Sequence, residues 1–194
     1  MLISDKHQFM FFHLYKTGGT SVTSMIKRFC NRSLEKHLNW VRFSKVDRLN
    51  LRENYFTFGF VRNPWDWQVS LYFYMLRDKG HFQHKMIKQM KDFDEYIRWR
   101  VEKEVRFQYC FFSEDGTIDT PIKVDFIGKL ENFNQDMEII KSKIKEKSNF
   151  EISYNVQHLN KTNHKNYREY YTEETKELVR KAFSKDIEYF NYEF

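Results

Sequence analysis

Cysteine is scarce: Cys30 and Cys110 are the only two in 194 residues. They lie far apart and make no metal-ligand spacing with the seven histidines, which excludes a disulfide-built scaffold and a zinc module. Two thiols in a reducing compartment remain as the reading. Proline (2) and glycine (6) are also few, and no Pro/Gly/Ser-rich linker or internal repeat interrupts the chain, so one domain over 1–194 is expected. The apolar run that begins at Phe9 follows Met1 too closely to leave room for a signal peptide or a membrane anchor. A cytoplasmic protein with no membrane partner is the expectation. Without an export signal, the glycosylation triplets at Asn31 and Asn160 read as chance matches. Alanine occurs once, at Ala182, beside abundant Phe, Tyr, Lys, Asn and Ile, a bias we attribute to an A+T-rich coding sequence. Balanced third-codon positions in the gene would remove that attribution. On it, the aromatic abundance carries no argument for base stacking, and no nucleic-acid partner is expected. The net charge of +6 suits an anionic ligand.

What is present concentrates at two junctions. In "MFFHLYKTGGTSVTSMIKRF", Phe9 to Phe12 reads as a strand buried on both faces, and Val22, Met25, Ile26 and Phe29 follow at the spacing of one helical face. Thr20 or Ser21 is placed to cap that helix. Lys16 to Ser21 is therefore a strand-to-helix turn, where backbone N–H groups and the positive end of the helix dipole favour an anion. Gly18 and Gly19 permit close approach of a phosphate, Thr17, Thr20 and Ser21 add hydroxyls, and Lys16 adds a mobile charge. In a nucleotide triphosphatase loop the lysine follows the glycines; here Lys16 precedes them.

In "YFTFGFVRNPWDWQVSLYFYM", Tyr55 to Val61 reads as a second buried strand, and Asn63 with Pro64 starts a helix. Trp65, Val69, Phe73 and Leu76 form its apolar stripe, and Ser70 lies on a neighbouring face. Arg62 ends the strand, so Arg62 and Ser70 can grip a second phosphate. Crevices at the carboxyl ends of parallel strands are where open α/β sheets bind ligands.

"HLYKTGGTSV" followed about forty residues later by "FVRNPWDWQVSLYFY" resembles the sulfotransferases that use 3′-phosphoadenosine 5′-phosphosulfate (PAPS), in particular their carbohydrate-type and bacterial branch. "DFIGKLENFNQDM" and the stretch from His158 to Phe194 are similar to later parts of that branch, whereas Phe82 to Pro121 is unmatched. Relatives often carry a basic or leucine-flanked pair where this chain has Gln68, a side chain expected to face solvent. The lack of an anchor resembles bacterial or viral members.

The resemblance implies an α/β, P-loop-like three-layer fold with a central parallel sheet flanked by helices. It implies sulfuryl transfer from PAPS to a hydroxyl or amine of a small-molecule or glycan acceptor, with no metal required and adenosine 3′,5′-bisphosphate as product. Lys16 is then the cation at the leaving oxygen, Thr17, Gly18, Gly19, Thr20 and Ser21 hold the 5′-phosphate, and Arg62 and Ser70 hold the 3′-phosphate. Lys161, Tyr167 and Arg168 are candidates to close over the cofactor. His37 is the first choice for the base and Glu35 the second, while His13 reads as a core histidine. Strands alternate with helices along the chain, in keeping with a parallel sheet. The segment 79–120 is expected to be helical in part and to shape the acceptor site, and oligomeric state is not legible. A nucleotide kinase or NTPase, and a non-catalytic module for an anionic ligand, are the alternatives.

Overall fold

The computed structural model describes residues 1–42, 54–153 and 165–194. The chain divides into two compact units, Met1–Arg62 with Gln108–Asn160, and Asn63–Phe107 with Lys161–Phe194.

The first unit is built on five strands: β1 (Leu2–Ser4), β2 (Phe9–Phe12), β3 (Arg32–Ser33), β4 (Phe56–Val61) and β5 (Phe126–Lys129), in the order β3-β1-β2-β4-β5. β2, β4 and β5 are parallel, with Phe9 opposite Phe56 and Phe58 opposite Phe126. β1 runs antiparallel to both β2 and β3. The sheet is thus mixed rather than wholly parallel, because a short hairpin at Asp5–Gln8 adds β1 beside β2. Among the described residues its helices include α1 (Gly19–Ile26), α5 (Gln108–Phe112) and α6 (Phe133–Ser148).

Strand alternation divides the aromatic residues between two faces. Phe9 and Phe11 of β2 and Phe56, Phe58 and Phe60 of β4 join Val22, Met25 and Ile26 of α1 and Phe133, Met137, Ile140 and Ile144 of α6 in one buried cluster. On the other face Phe112 of α5 lies over Gly59 and Trp40 packs near Phe12, with ring centroids 5.7 Å apart. Both faces are covered, which is why β2 and β4 are apolar almost without a break.

The second unit holds α2 (Pro64–Arg77), α3 (His84–Gln89), α4 (Phe93–Lys103), a 3-10 turn at Tyr167–Tyr170, α7 (Glu173–Ala182) and α8 (Ser184–Tyr189). Asn63 caps α2 by accepting from the Trp65 amide, with Pro64 at the first helical position, and Thr172 caps α7. Gln68 does not face solvent. It is fully buried, and its Oε1 accepts from Nε of Arg100 at 3.2 Å and from the Tyr96 hydroxyl at 3.3 Å. The cause is a polar network inside the unit, in which Arg100 is also paired with Glu104 at 2.8 Å. Among the described residues no helix is long and apolar enough to cross a membrane.

Candidate functional site

β2 and β4 are neighbouring parallel strands, so the chain leaves both at the same edge of the sheet. After β2 come His13, Leu14, Tyr15 and Lys16. The Thr17 hydroxyl donates to the Leu14 carbonyl at 3.0 Å and so closes the turn; its side chain is buried rather than presented at the surface. Lys16 and Gly18 both take left-handed backbone conformations, with φ of 63° and 81°. For Gly18 this carries no Cβ penalty, whereas a lysine held there stores on the order of 1–3 kcal/mol and persists only where its surroundings enforce it.

The left-handed Gly18 starts α1 earlier than the hydroxyl residues suggest. Gly18 is itself the N-cap and its carbonyl accepts from the Ser21 and Val22 amides at 2.9 and 3.2 Å. Thr20 and Ser21 therefore belong to the first turn and are not caps. Thr20 is exposed and Ser21 buried. The requirement for a second glycine has a different origin. A Cβ on Gly19 would lie 2.0 Å from Cδ2 and 2.1 Å from Nε2 of His13, whose ring covers that Cα.

At the end of β4, Arg62 is buried and donates from Nη1 to the carbonyl of Lys16 at 3.3 Å. The two cationic residues singled out from separate motifs are thus brought together, and Arg62 is one of the groups that hold Lys16 in its left-handed state. The Arg62 main chain is in turn gripped by Gln108 of α5: its N–H donates to Oε1 at 2.9 Å, and Nε2 donates to its carbonyl at 2.6 Å. Sequence reasoning missed Gln108, since it lies in the stretch from Phe82 to Pro121, where no motif was matched. The available signal was one amide side chain inside the otherwise apolar run "FQYCFF".

His37 reaches the same edge. Its Nδ1 lies 2.9 Å from the carbonyl of His13, and because a carbonyl only accepts, Nδ1 carries the proton and Nε2 the lone pair. Its ring stands edge-on to those of His13 and Tyr15, with centroids 4.9 and 5.9 Å away. Partial burial lowers the His37 pKa below the ordinary imidazole value, opposed by the bond to the His13 carbonyl. His13 is more extreme: burial, then the neighbouring His37, depress it to about 3, so it stays neutral at working pH. Glu35, the second choice for a base, has both carboxylate oxygens engaged by the Arg42 guanidinium, at 2.7 and 2.5 Å. Glu35 is thereby committed to an exposed ion pair.

Ser70 and Tyr167 belong to the second unit. The Ser70 hydroxyl is buried and has no hydrogen-bond partner among the described residues. Tyr167 packs edge-on against Phe194 at 5.5 Å, and the Arg168 guanidinium lies over its ring. Lys161 lies outside the described residues. Among the described residues no group of three or more His, Cys, Asp or Glu could hold a metal ion.

Chemically, the edge formed by the Lys16 turn and Arg62 combines a helix N-terminus, two cations and main-chain N–H groups, the features that bind oxyanions. The family model described as the Sulfotransferase family matches residues 1–193. No curated protein and no solved structure gave a match. With the match running over almost the whole chain, from the Lys16 turn through Arg62 to the final helices, the protein belongs to the sulfotransferase family, whose reaction is sulfuryl transfer.

Proposed function

We propose that the protein transfers a sulfuryl group from PAPS to a hydroxyl, or an amine, of an acceptor, with a carbohydrate as the acceptor class. The observation that carries the reading is the bond from Arg62 to the Lys16 carbonyl, which joins two anion-binding junctions on neighbouring parallel strands. A cofactor with phosphate groups at both ends of its ribose needs two such junctions.

The residues fit that group. The left-handed turn and the start of α1 suit the 5′-phosphate, held by main-chain N–H groups of Thr17 to Thr20 and by the Thr20 and Ser21 hydroxyls. Arg62 is the ligand for the 3′-phosphate, and the resemblance of the second motif adds the Ser70 hydroxyl as a further donor. When bound, PAPS supplies the sulfuryl group and a phosphate leaving group. Lys16 neutralises charge that grows on the leaving oxygen, which stabilises the transition state more than the ground state. His37 takes the acceptor's proton at Nε2, its Nδ1–H being committed to the His13 carbonyl.

Isothermal calorimetry without metal tests the cofactor assignment. Adenosine 3′,5′-bisphosphate should bind at least tenfold more tightly than adenosine 5′-phosphate, since a charge-assisted hydrogen bond is worth roughly 1.5–3 kcal/mol. Binding of ATP that requires magnesium, with no preference for the 3′-phosphate, would overturn it. Labelled PAPS offered with glycans, small alcohols and phenols then identifies the acceptor class.

A further inference from the structure

We propose that Gln108 is a positioning residue for the 3′-phosphate of the cofactor, acting through Arg62. The inference rests on the reading of Arg62 as the ligand of that phosphate. The last ladder pair of β4 is Val61 with Lys129, so Arg62 is the first residue past the paired strand. Buried peptide groups need partners, and the Gln108 amide acts as a substitute strand, giving one acceptor and one donor to the same residue at 2.9 and 2.6 Å. Only a side-chain amide of this length does both. Glutamate offers no donor, asparagine is one methylene shorter, and an apolar residue satisfies neither group.

Fixing both main-chain groups of Arg62 fixes the point from which its side chain departs. Its guanidinium then spans to the Lys16 carbonyl, so the clamp sets where the arginine fork is presented. Gln108 is fully buried, which removes it from direct contact with solvent or ligand and leaves Arg62 as the route of its effect. A residue outside the motifs read from the sequence thereby supports a site whose ligands lie within them.

The test measures the preference for adenosine 3′,5′-bisphosphate over adenosine 5′-phosphate by calorimetry in the parent, Arg62→Ala, Gln108→Ala and Gln108→Glu. Both Gln108 variants should lose about tenfold of that preference, approaching Arg62→Ala. The preference is a ratio measured on folded protein alone, so reduced stability does not imitate the effect. If Gln108→Ala fails to fold, the similarly sized Gln108→Glu carries the comparison. A glutamine with a purely structural role would lower the unfolding temperature and leave the preference at the parent value; that result overturns the proposal while the Arg62 reading stands. A parent protein with no preference removes the Arg62 reading, and this inference with it.

Discussion

His13 and Gly19 share one space, and the sharing links the start of α1 to the end of β2. Gly19→Ala must move a buried imidazole or the turn itself, and overpacking of this kind typically costs about 1–3 kcal/mol. Urea unfolding should show a loss in that range, and a variant as stable as the parent would mean that the ring yields freely. At Lys16 the expected loss is kinetic. Lys16→Ala should lower turnover by orders of magnitude while adenosine 3′,5′-bisphosphate binding weakens far less, because the charge matters most as the leaving group develops. Unchanged turnover at saturating cofactor would remove the lysine from the chemistry. The proposed base, His37, must be neutral to take a proton, and its pKa is lowered, so activity should stay level above the ordinary imidazole range and fall only at more acid pH. His37→Ala should abolish that acid limb and leave PAPS binding intact. A variant retaining both the parent rate and the limb would move the base elsewhere.

At the scale of elements, α2 is held at its start by a single side chain used twice. Asn63 Oδ1 accepts from the Trp65 amide at 3.1 Å, and its Nδ2 donates to the Glu193 carbonyl at 2.7 Å. Asn63→Ala should cost about 2 kcal/mol, a cap plus a stranded carbonyl, and Asn63→Asp should keep the cap alone. Equal stability of the two variants would show that only the bond to Glu193 matters. β2, β4 and α6 were legible because their apolar residues run or recur with the period of the element, and Phe133, Met137, Ile140 and Ile144 are the buried face that period predicts. α2 was legible from its Asn63-Pro64 start, but its buried residues include Trp67, Leu71 and Met75 beside Trp65 and Val69, whereas Phe73 and Leu76 of the expected stripe are only half-buried. β1 and β3, of three and two residues, are too short to have a period and exist only through their pairing partners. Gln68 was misplaced for a related reason: whether an amide faces water depends on Tyr96 and Arg100, far along the chain, and not on its neighbours. In the site, Lys16, Gly18 and Arg62 stood out by their place at strand ends. The bond between Lys16 and Arg62, the Gln108 clamp and the contact of His37 with His13 are tertiary, and no local pattern encodes them.

For the whole molecule, ligand binding and stability are linked. Adenosine 3′,5′-bisphosphate at about 100 times its dissociation constant should add about 2.7 kcal/mol to the unfolding free energy. In a chain of 194 residues that corresponds to a rise of roughly 5–10 °C in Tm. ATP without metal at the same concentration should raise Tm much less, and equal shifts would remove the requirement for a 3′-phosphate. The two compact units are interleaved along the chain, each assembled from an early and a late segment. Synthesis proceeds from one end only. A nascent chain has β4 complete at Val61, yet β5, which pairs along its far edge, is not finished until Lys129. Through that interval β4 has an open edge and Phe60 lacks the Phe133 ring it packs against in the finished protein, the kind of surface that recruits chaperones or aggregates. Slow translation between these two points should therefore lower the soluble yield of the chain more than the specific activity of the molecules that do fold.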